Sequence, residues 1–501
     1  MKIKFILIVS LAFFLGYSAA GQVQTDTLSL VKSLGEKGHL ARSLEIIKHY
    51  YKGHPDDLYT TWIYAQVAYQ SHKYRLSAGL YEKAIRISPR EKGLRLDYAK
   101  SLVNTGELNK AEEQLTVCTN EDRDNPEPWL YLARIRYWKG EYMKSLALLD
   151  NLILNVPDYM PAKTLRQQVQ HDMAPWLGLE IPYTADDQPM KMITPELTGG
   201  WRRSNLLGMD VHLTVPFLTG DTTGFKSVGF NLGNTFHFIK PNMNLYLNLG
   251  FFNHTTLNSW HFTGEVKIEK ALLKKMMLWV GLKRSPYLYT LSSLQLPLFE
   301  NHLTIAASWN DPDRWNGQFS FEESTFSSDD NRVTAICGWV FAPAVKAGRF
   351  DFHFGYGFNY STSRENNFTN DKSINEIIAG WEQGTAITGI YDPYFTPKDQ
   401  QIHSLLGVVN FKAAKKLKLS LNLNAGLYAT TMYPYLFLNG NATDSLFMEK
   451  SFVQKQFLPY NITAGANWQM TRNLDLQATF IYNSTIYYTT KTIGLTIRKR
   501  F

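Results

Sequence analysis

The last eleven residues, Lys491 to Phe501, restrict the possible folds more than any other stretch of the chain. Odd positions read Lys, Ile, Leu, Ile, Lys, Phe, and even positions read Thr, Gly, Thr, Arg, Arg. A strand sends successive side chains to opposite faces, so one face is mostly apolar and the other polar. The closing strand of a membrane β-barrel reads this way, with Ile493, Leu495 and Ile497 towards lipid and Gly494, Thr496 and Arg498 towards a wet lumen. A half-buried strand of a soluble sheet carries the same pattern. Recurrence upstream decides between them.

Three further segments alternate as cleanly. In 417–429, Leu417, Leu419, Leu421 and Leu423 oppose Lys418, Ser420, Asn422 and Asn424. In 350–360, Phe350, Phe352, Phe354 and Tyr356 oppose Asp351, His353, Gly355 and Gly357. In 461–470, Ile462, Ala464, Ala466 and Trp468 oppose Asn461, Thr463, Asn467 and Gln469. Each is close to the ~9–11 residues a tilted strand needs to cross a bilayer. Seventeen candidate strands fall between 176 and 501, 289–298 and 316–324 among them. A barrel with both ends in the periplasm has an even number. Short polar turns at 239–242, 412–416 and 470–473 read as periplasmic, and the long connections 362–399 and 431–457 as extracellular. These ends alternate when 316–324 is assigned to an excursion running from 311 to 330. The expectation is therefore a closed antiparallel barrel of about 16 strands over 173–501, with fourteen and eighteen as neighbouring solutions. A soluble sandwich of this length would need two or three copies joined by linkers, and the sequence offers no such linkers.

The N-terminal third has another period. Residues 1–21 read as a secretory signal: Lys2 and Lys4, an apolar run from Phe5 to Leu15, then Ser18, Ala19, Ala20 and Gly21, with cleavage near Ala20 to Gln22. The run is too short to span a bilayer as a helix, and no later stretch holds about 18 consecutive apolar residues. Over 22–172 a helical period appears, punctuated by Pro55, Pro89, Pro126 and Pro157. Trp62, Ala65, Tyr69, Ala78, Tyr81 and Ala84 in one unit match Trp129, Leu130, Ala133, Tyr137, Gly140 and Tyr142 in another. The third unit (Tyr98, Ala99, Leu102, Gly106, Ala111) matches more loosely and carries an insertion. Period and landmarks resemble the tetratricopeptide repeat. Such arrays bind proteins by default, so periplasmic or inner-membrane proteins are the expected partners. The fold class is α + β multidomain, a helical array followed by a barrel.

Composition removes other classes. The net charge of +8 is modest for 501 residues, and no Lys/Arg block suggests nucleic acid. The 14% aromatic share suits the girdles at two membrane interfaces. Cys118 and Cys337 fall in different expected domains, which implies neither a disulfide framework nor a metal cluster. Asp311, Asp313, Asp329, Asp330 and His254 follow no catalytic spacing and read as solvated loop residues. The expectation is a protein without catalytic residues, metal or cofactor.

Lumen-lining candidates from the alternation are Asn422, Asn424, Asn461, Asn467, Gln469, Asp351, His353, Lys418, Asp475 and Arg498. Inward positions are chiefly neutral hydrogen-bonding groups, which suit a polyhydroxylated solute because amides both donate and accept. Trp381, Tyr391, Tyr394 and Phe395, on the long 362–399 segment, are gate candidates, with an ordinary surface loop as the plainer reading. The order of signal, repeat array and barrel closing on Phe501 resembles the poly-N-acetylglucosamine export porin, the cellulose-synthase C-type porin and YaiO-type outer-membrane barrels. Tyr394-Phe395-Thr396-Pro397, before the strand 400–411, resembles the Tyr-Phe/Tyr-Ser/Asn-Pro element of those porins. The resemblance implies a Gram-negative outer-membrane pore that passes an exopolysaccharide and is fed by its periplasmic array. The alternative is a non-transporting anchor that presents the array to envelope or secretion machinery.

Overall fold

A computed structural model describes residues 27–501 apart from 92, 189, 221–223, 239–241, 255–257, 274, 291, 292, 294–296, 312, 313, 383–386 and 441–445. The expected signal, 1–21, lies outside the described residues. The chain divides into two compact units between Gln170 and His171.

The described residues of the first unit form helices in succession. They are α1 over 27–36, α2 Leu40–Gly53, α3 Leu58–Gln70, α4 Tyr74–Ile87, α5 Leu94–Thr105, α6 Leu108–Glu121, α7 Pro126–Trp138 and α8 Tyr142–Asn155. The last, α9 (Met160–Met173), runs across the division. Val31, Ala65, Ala99 and Ala133 recur every 34 residues and have no exposed surface. Small residues there let paired helices approach closely. On the partner helices Ser43, Ser77 and Ser145 donate their hydroxyls to the carbonyls of Val31, Ala65 and Ala133 at 2.8, 2.9 and 2.8 Å. Ala111, buried at the equivalent place, makes no such bond. Each helix pair turns through a left-handed residue, again every 34: Gly38, His72, Gly106 and Gly140, with φ of 80°, 57°, 84° and 67°. The register is unbroken, so the insertion expected in the third unit is absent. Its proline misled the count: Pro126 does not follow a helix but opens α7, behind the Asn125 cap, where a missing N–H costs nothing.

The second unit is a closed antiparallel barrel of sixteen strands among the described residues. The first eight are β1 Trp176–Asp186, β2 Lys191–Ile193 with Glu196–Arg202, β3 Gly208–Thr214 with Phe217–Thr219, β4 Gly224–Phe238, β5 Met243–His254, β6 Ser259–Leu273, β7 Met276–Pro286 and β8 Phe299–Trp309. The others are β9 Asn316–Phe326, β10 Arg332–Phe341 with Val345–Ala347, β11 Phe350–Ser363, β12 Gln400–Ala414, β13 Leu417–Gly440, β14 Leu446–Phe457 with Tyr460–Gln469, β15 Leu474–Ser484 and β16 Thr489–Arg500. Four strands are split, and a proline lies in each gap: Pro195, Pro216, Pro343 and Pro459. Proline cannot donate to the ladder. Closure runs from Trp176 opposite Arg500 to Asp186 opposite Thr490, and the Phe501 amide donates to the Pro175 carbonyl at 2.9 Å.

Sixteen is the expected number, reached by a different route. Segment 316–324 is not an excursion but the body of β9, paired along its length with β8 and β10. The break in the ladder lies instead between β7 and β8, where the described residues of 289–298 hold no strand. The stretch 431–457 is likewise no loop, because β13 and β14 continue past their neighbours as a hairpin from Ala429 opposite Phe457 to Gly440 opposite Leu446. Leu177, Leu249, Phe262, Leu282, Ile305, Phe319, Phe354, Leu405 and Ile493 are all exposed on the outer face. Solvent-exposed rows of this kind are stable only against lipid. No helix among the described residues is long and apolar enough to cross a membrane.

Candidate functional site: the lumen and its mouth

Alternation fixes which side chains look inward, and the inner wall has two sectors. From β10 to β16 it is mostly neutral. Near the end that carries both termini of the barrel, Lys418, Asn467, Gln469, Asp475 and Arg498 line one cavity of about 390 Å³ with Gln477 and Thr496. They are cross-strand neighbours: Lys418 stands opposite Asn467, Gln469 opposite Asp475, and Asp475 opposite Arg498. Asn424 and Asn461 belong to a second cavity of about 450 Å³. His353 lines a third, with Trp339, Phe341 and Val408. Asn422, opposite Thr463, lies on the wall between the first two. Asp351, opposite Lys346 and Asn410, sits near the termini and outside these cavities. Gly494 occupies the closing seam opposite Pro182.

From β2 to β9 the wall is charged, which the expectation of chiefly neutral inward groups did not include. Glu196 meets His212 at 2.7 Å. Glu269 accepts from Lys267 at 2.7 Å and from the Tyr246 hydroxyl at 2.9 Å. Glu300 accepts from Ser324 at 2.5 Å, and His302 lies 3.9 Å from Glu322. The signal was present, since Glu265, Lys267 and Glu269 alternate with Val266 and Ile268. Two of the residues read as solvated loop groups are not: His254 is 2% exposed, its ring 4.6 Å from Phe225, and Asp311 is buried and pairs with Lys275. Asp313 lies outside the described residues. Among the described residues, no group of three or more His, Cys, Asp or Glu could hold a metal.

The mouth is crossed by the segment between β11 and β12. It is built from a two-residue ladder, Phe368–Thr369 with Ile390–Tyr391, and a helix, α10, over Ile374–Glu382. Ser373 and Glu376 form a reciprocal capping box at the start of α10. Tyr394 is fully buried, stacks on Phe326 at 3.5 Å, and donates its hydroxyl to Asp329 at 2.7 Å. The Thr290 hydroxyl donates to the Pro393 carbonyl at 2.5 Å, and the Phe395 amide to the Tyr287 oxygen at 3.3 Å. On its other side the same segment meets the β15–β16 connection: Phe395 lies 5.0 Å from both Tyr487 and Tyr488, and Tyr391 lies 5.2 Å from Tyr487. Lys450, on the projecting hairpin, donates to the Phe368 carbonyl at 3.1 Å. The β7–β8 and β15–β16 connections are eight strands apart in a ring of sixteen, so they face each other. Phe395 touches both, so the two connections reach inward and meet on this segment, which bridges them across the opening. Of the four gate candidates, Tyr391, Tyr394 and Phe395 are in this bridge, whereas Trp381 on α10 is exposed. The plainer expectation, an ordinary surface loop, does not describe it.

A tetratricopeptide-repeat family model matches residues 68–129, within the 34-residue register described above. The helical unit is a tetratricopeptide-repeat array. No curated protein matches the chain. Among solved structures, a "Bacterial polysaccharide outer membrane secretin" is similar at 9% identity and a TM-score of 0.46, covering 66% of this chain and 99% of its own. MamA of Desulfovibrio magneticus RS-1 is similar at 10% identity and a TM-score of 0.27, covering 29% of this chain and 84% of its own. A thermophilic TPR protein of Thermus thermophilus is similar at 18% identity and a TM-score of 0.26, covering 28% and 79%.

Proposed function

We propose that this protein is a polysaccharide exporter of a Gram-negative outer membrane, with its repeat array in the periplasm as a docking module for periplasmic or inner-membrane proteins. The bridged mouth carries the reading. A sixteen-stranded barrel is wide enough to hold an aqueous channel, and a passive pore has no use for connections from opposite sides packed together over its opening. A conduit for a long polymer does, because it must be shut when no chain is passing. The lumen contacts fit the same reading. Amide and hydroxyl groups on the β13–β16 wall offer many weak hydrogen bonds, so a moving chain exchanges partners without being held. Asn422, Asn424, Asn461, Asn467 and Gln469 act in this way; alanine at all five together slows secretion and leaves barrel assembly intact.

The bridge also favours a second reading, in which the barrel stays closed and only anchors the array. Deleting the gene and staining cells for surface polysaccharide separates the two. Loss of the polymer, restored by the intact gene, supports export. Unchanged polymer in every growth condition where the protein is made sinks it and leaves the anchor.

A further inference from the structure

Resting on the export reading, we infer that the β10–β15 sector of the lumen holds a stacking subsite for an uncharged hexopyranose unit, with Trp339 and Phe341 as its platform. Both rings point inward from β10 and are half-buried, with centroids 5.6 Å apart. They line the cavity of about 450 Å³, within the range of roughly 300–1,000 Å³ that ligand pockets occupy. Its rim carries a row of amides on successive strands: Asn424 stands opposite Asn461, and Asn461 opposite Asn483 with 3.4 Å between the side chains. Asn359 adds a fourth amide from β11.

The cavity lining includes no carboxylate, ammonium, guanidinium or imidazole, while the β2–β9 wall of the same lumen has many. A pyranose presents an apolar C–H face and a rim of hydroxyls that donate and accept. An aromatic face beside amides matches both features, and a polyanionic sugar would find no counter-charge here. The rings also cover glycines of the next strand, since a side chain at Gly355 would meet Phe341 at 2.7 Å. That accounts for their presence as strand support. It does not account for the amide row or the neutral lining.

The test measures binding to the purified full-length protein in detergent, using cellohexaose and chitohexaose as neutral probes and hexagalacturonate as the charged one. At least one neutral probe is expected to bind about tenfold more tightly than hexagalacturonate. Trp339→Ala is expected to weaken that probe about tenfold, as loss of one aromatic platform implies, and Trp339→Phe to recover most of the loss. Asn461→Asp, which replaces an amide donor by a carboxylate, weakens it too. Folding is followed by the shift in gel mobility on heating; if Trp339→Ala fails to fold, Trp339→Phe and Asn461→Asp decide. No binding of either neutral probe, equal binding of the charged one, or affinities that ignore all the substitutions would overturn the subsite. Gene deletion reports on export separately: lost polymer with unaltered affinities removes the subsite alone, and unchanged polymer removes the export reading whatever the affinities.

Discussion

Single residues decide two features of the array. Gly38, Gly106 and Gly140 turn their helix pairs through left-handed backbone, but the second pair uses His72 at φ 57°. A side chain in that region costs about 1–2 kcal/mol, part of which glycine returns through its looser unfolded state. The His72 ring also shares a 2.7 Å hydrogen bond with the Tyr74 hydroxyl, in an exposed setting. His72→Gly is therefore expected to stabilise the array by about 0.5 kcal/mol, measured by urea unfolding followed at the helical circular-dichroism band. Asp57 caps α3, accepting the Thr60 amide at 2.7 Å. The hydrogen bonds from Thr60 hold its carboxyl below the ordinary Asp range. A carboxyl depressed by folding contributes stability above its unfolded pKa and loses it as pH falls through the folded one. Asp57→Ala is thus expected to cost about 1 kcal/mol at pH 7, with a smaller difference from the parent on acidification below the ordinary Asp range. An equal difference at every pH would show that the carboxylate is not the acting group. His72 and Asp57 could not be read from sequence, because the first was hidden by the expectation of glycine and the second lay between the aromatic landmarks. The charged lumen wall was legible at Glu265, Lys267 and Glu269, yet the cleanest alternation lies in 350–360, 417–429 and 461–470, all in the neutral sector. The expectation of a chiefly neutral lumen rests on those strands.

At the scale of elements, strand alternation was readable wherever both faces were pure, and connection length was readable only when the elements around it were right. Segment 289–298 carries Tyr, Leu and Pro in a strand-like order, but its described end lies in the mouth region: Leu298 is buried with Tyr287, Phe326 and Tyr394. An apolar run buried within the mouth and one facing lipid are the same letters. The assignment of 316–324 to an excursion rests on connection length, whereas Ser320, Glu322 and Ser324 are the inward positions of a strand, opposite the β8 wall. The two errors cancelled in the count. The bridge is the element whose role can be tested most directly. Tyr394 couples it to the β9–β10 turn through the hydroxyl bond to Asp329 and the stack on Phe326. Losing the hydroxyl in Tyr394→Phe removes a charge-assisted bond, about 1.5–3 kcal/mol before any relaxation. Tyr394→Ala removes the stack as well. Cells carrying Tyr394→Ala are expected to admit vancomycin, normally excluded by size, more readily than the parent, with Tyr394→Phe and Asp329→Ala intermediate and not additive with each other. Unchanged vancomycin sensitivity in all three would mean that the bridge does not seal the opening.

For the whole molecule, the question is why one chain joins a protein-docking array to a bridged barrel. An anchor alone needs no lumen sector built from aromatic rings and amides, and a passive pore alone needs no 34-residue repeats. The two units are stabilised by different physics, which makes them separable by experiment. The array is held by buried small residues and hydroxyl bonds between helices in water. The barrel is held by closure of its ladder from β16 to β1 and by its lipid-facing rows, all within residues 171–501. A chain that keeps its first 26 residues but lacks 27–170 is therefore expected to insert and to keep its heat-dependent gel shift. If the array is what delivers the polymer or its machinery to the pore, the same chain secretes none, and supplying the array as a free periplasmic protein restores little, because the tether sets its local concentration at the barrel entrance. Surface polysaccharide staining beside the gel assay reads both outcomes in one strain. Normal secretion by the shortened chain would detach the array from transport and leave the barrel as a self-sufficient conduit.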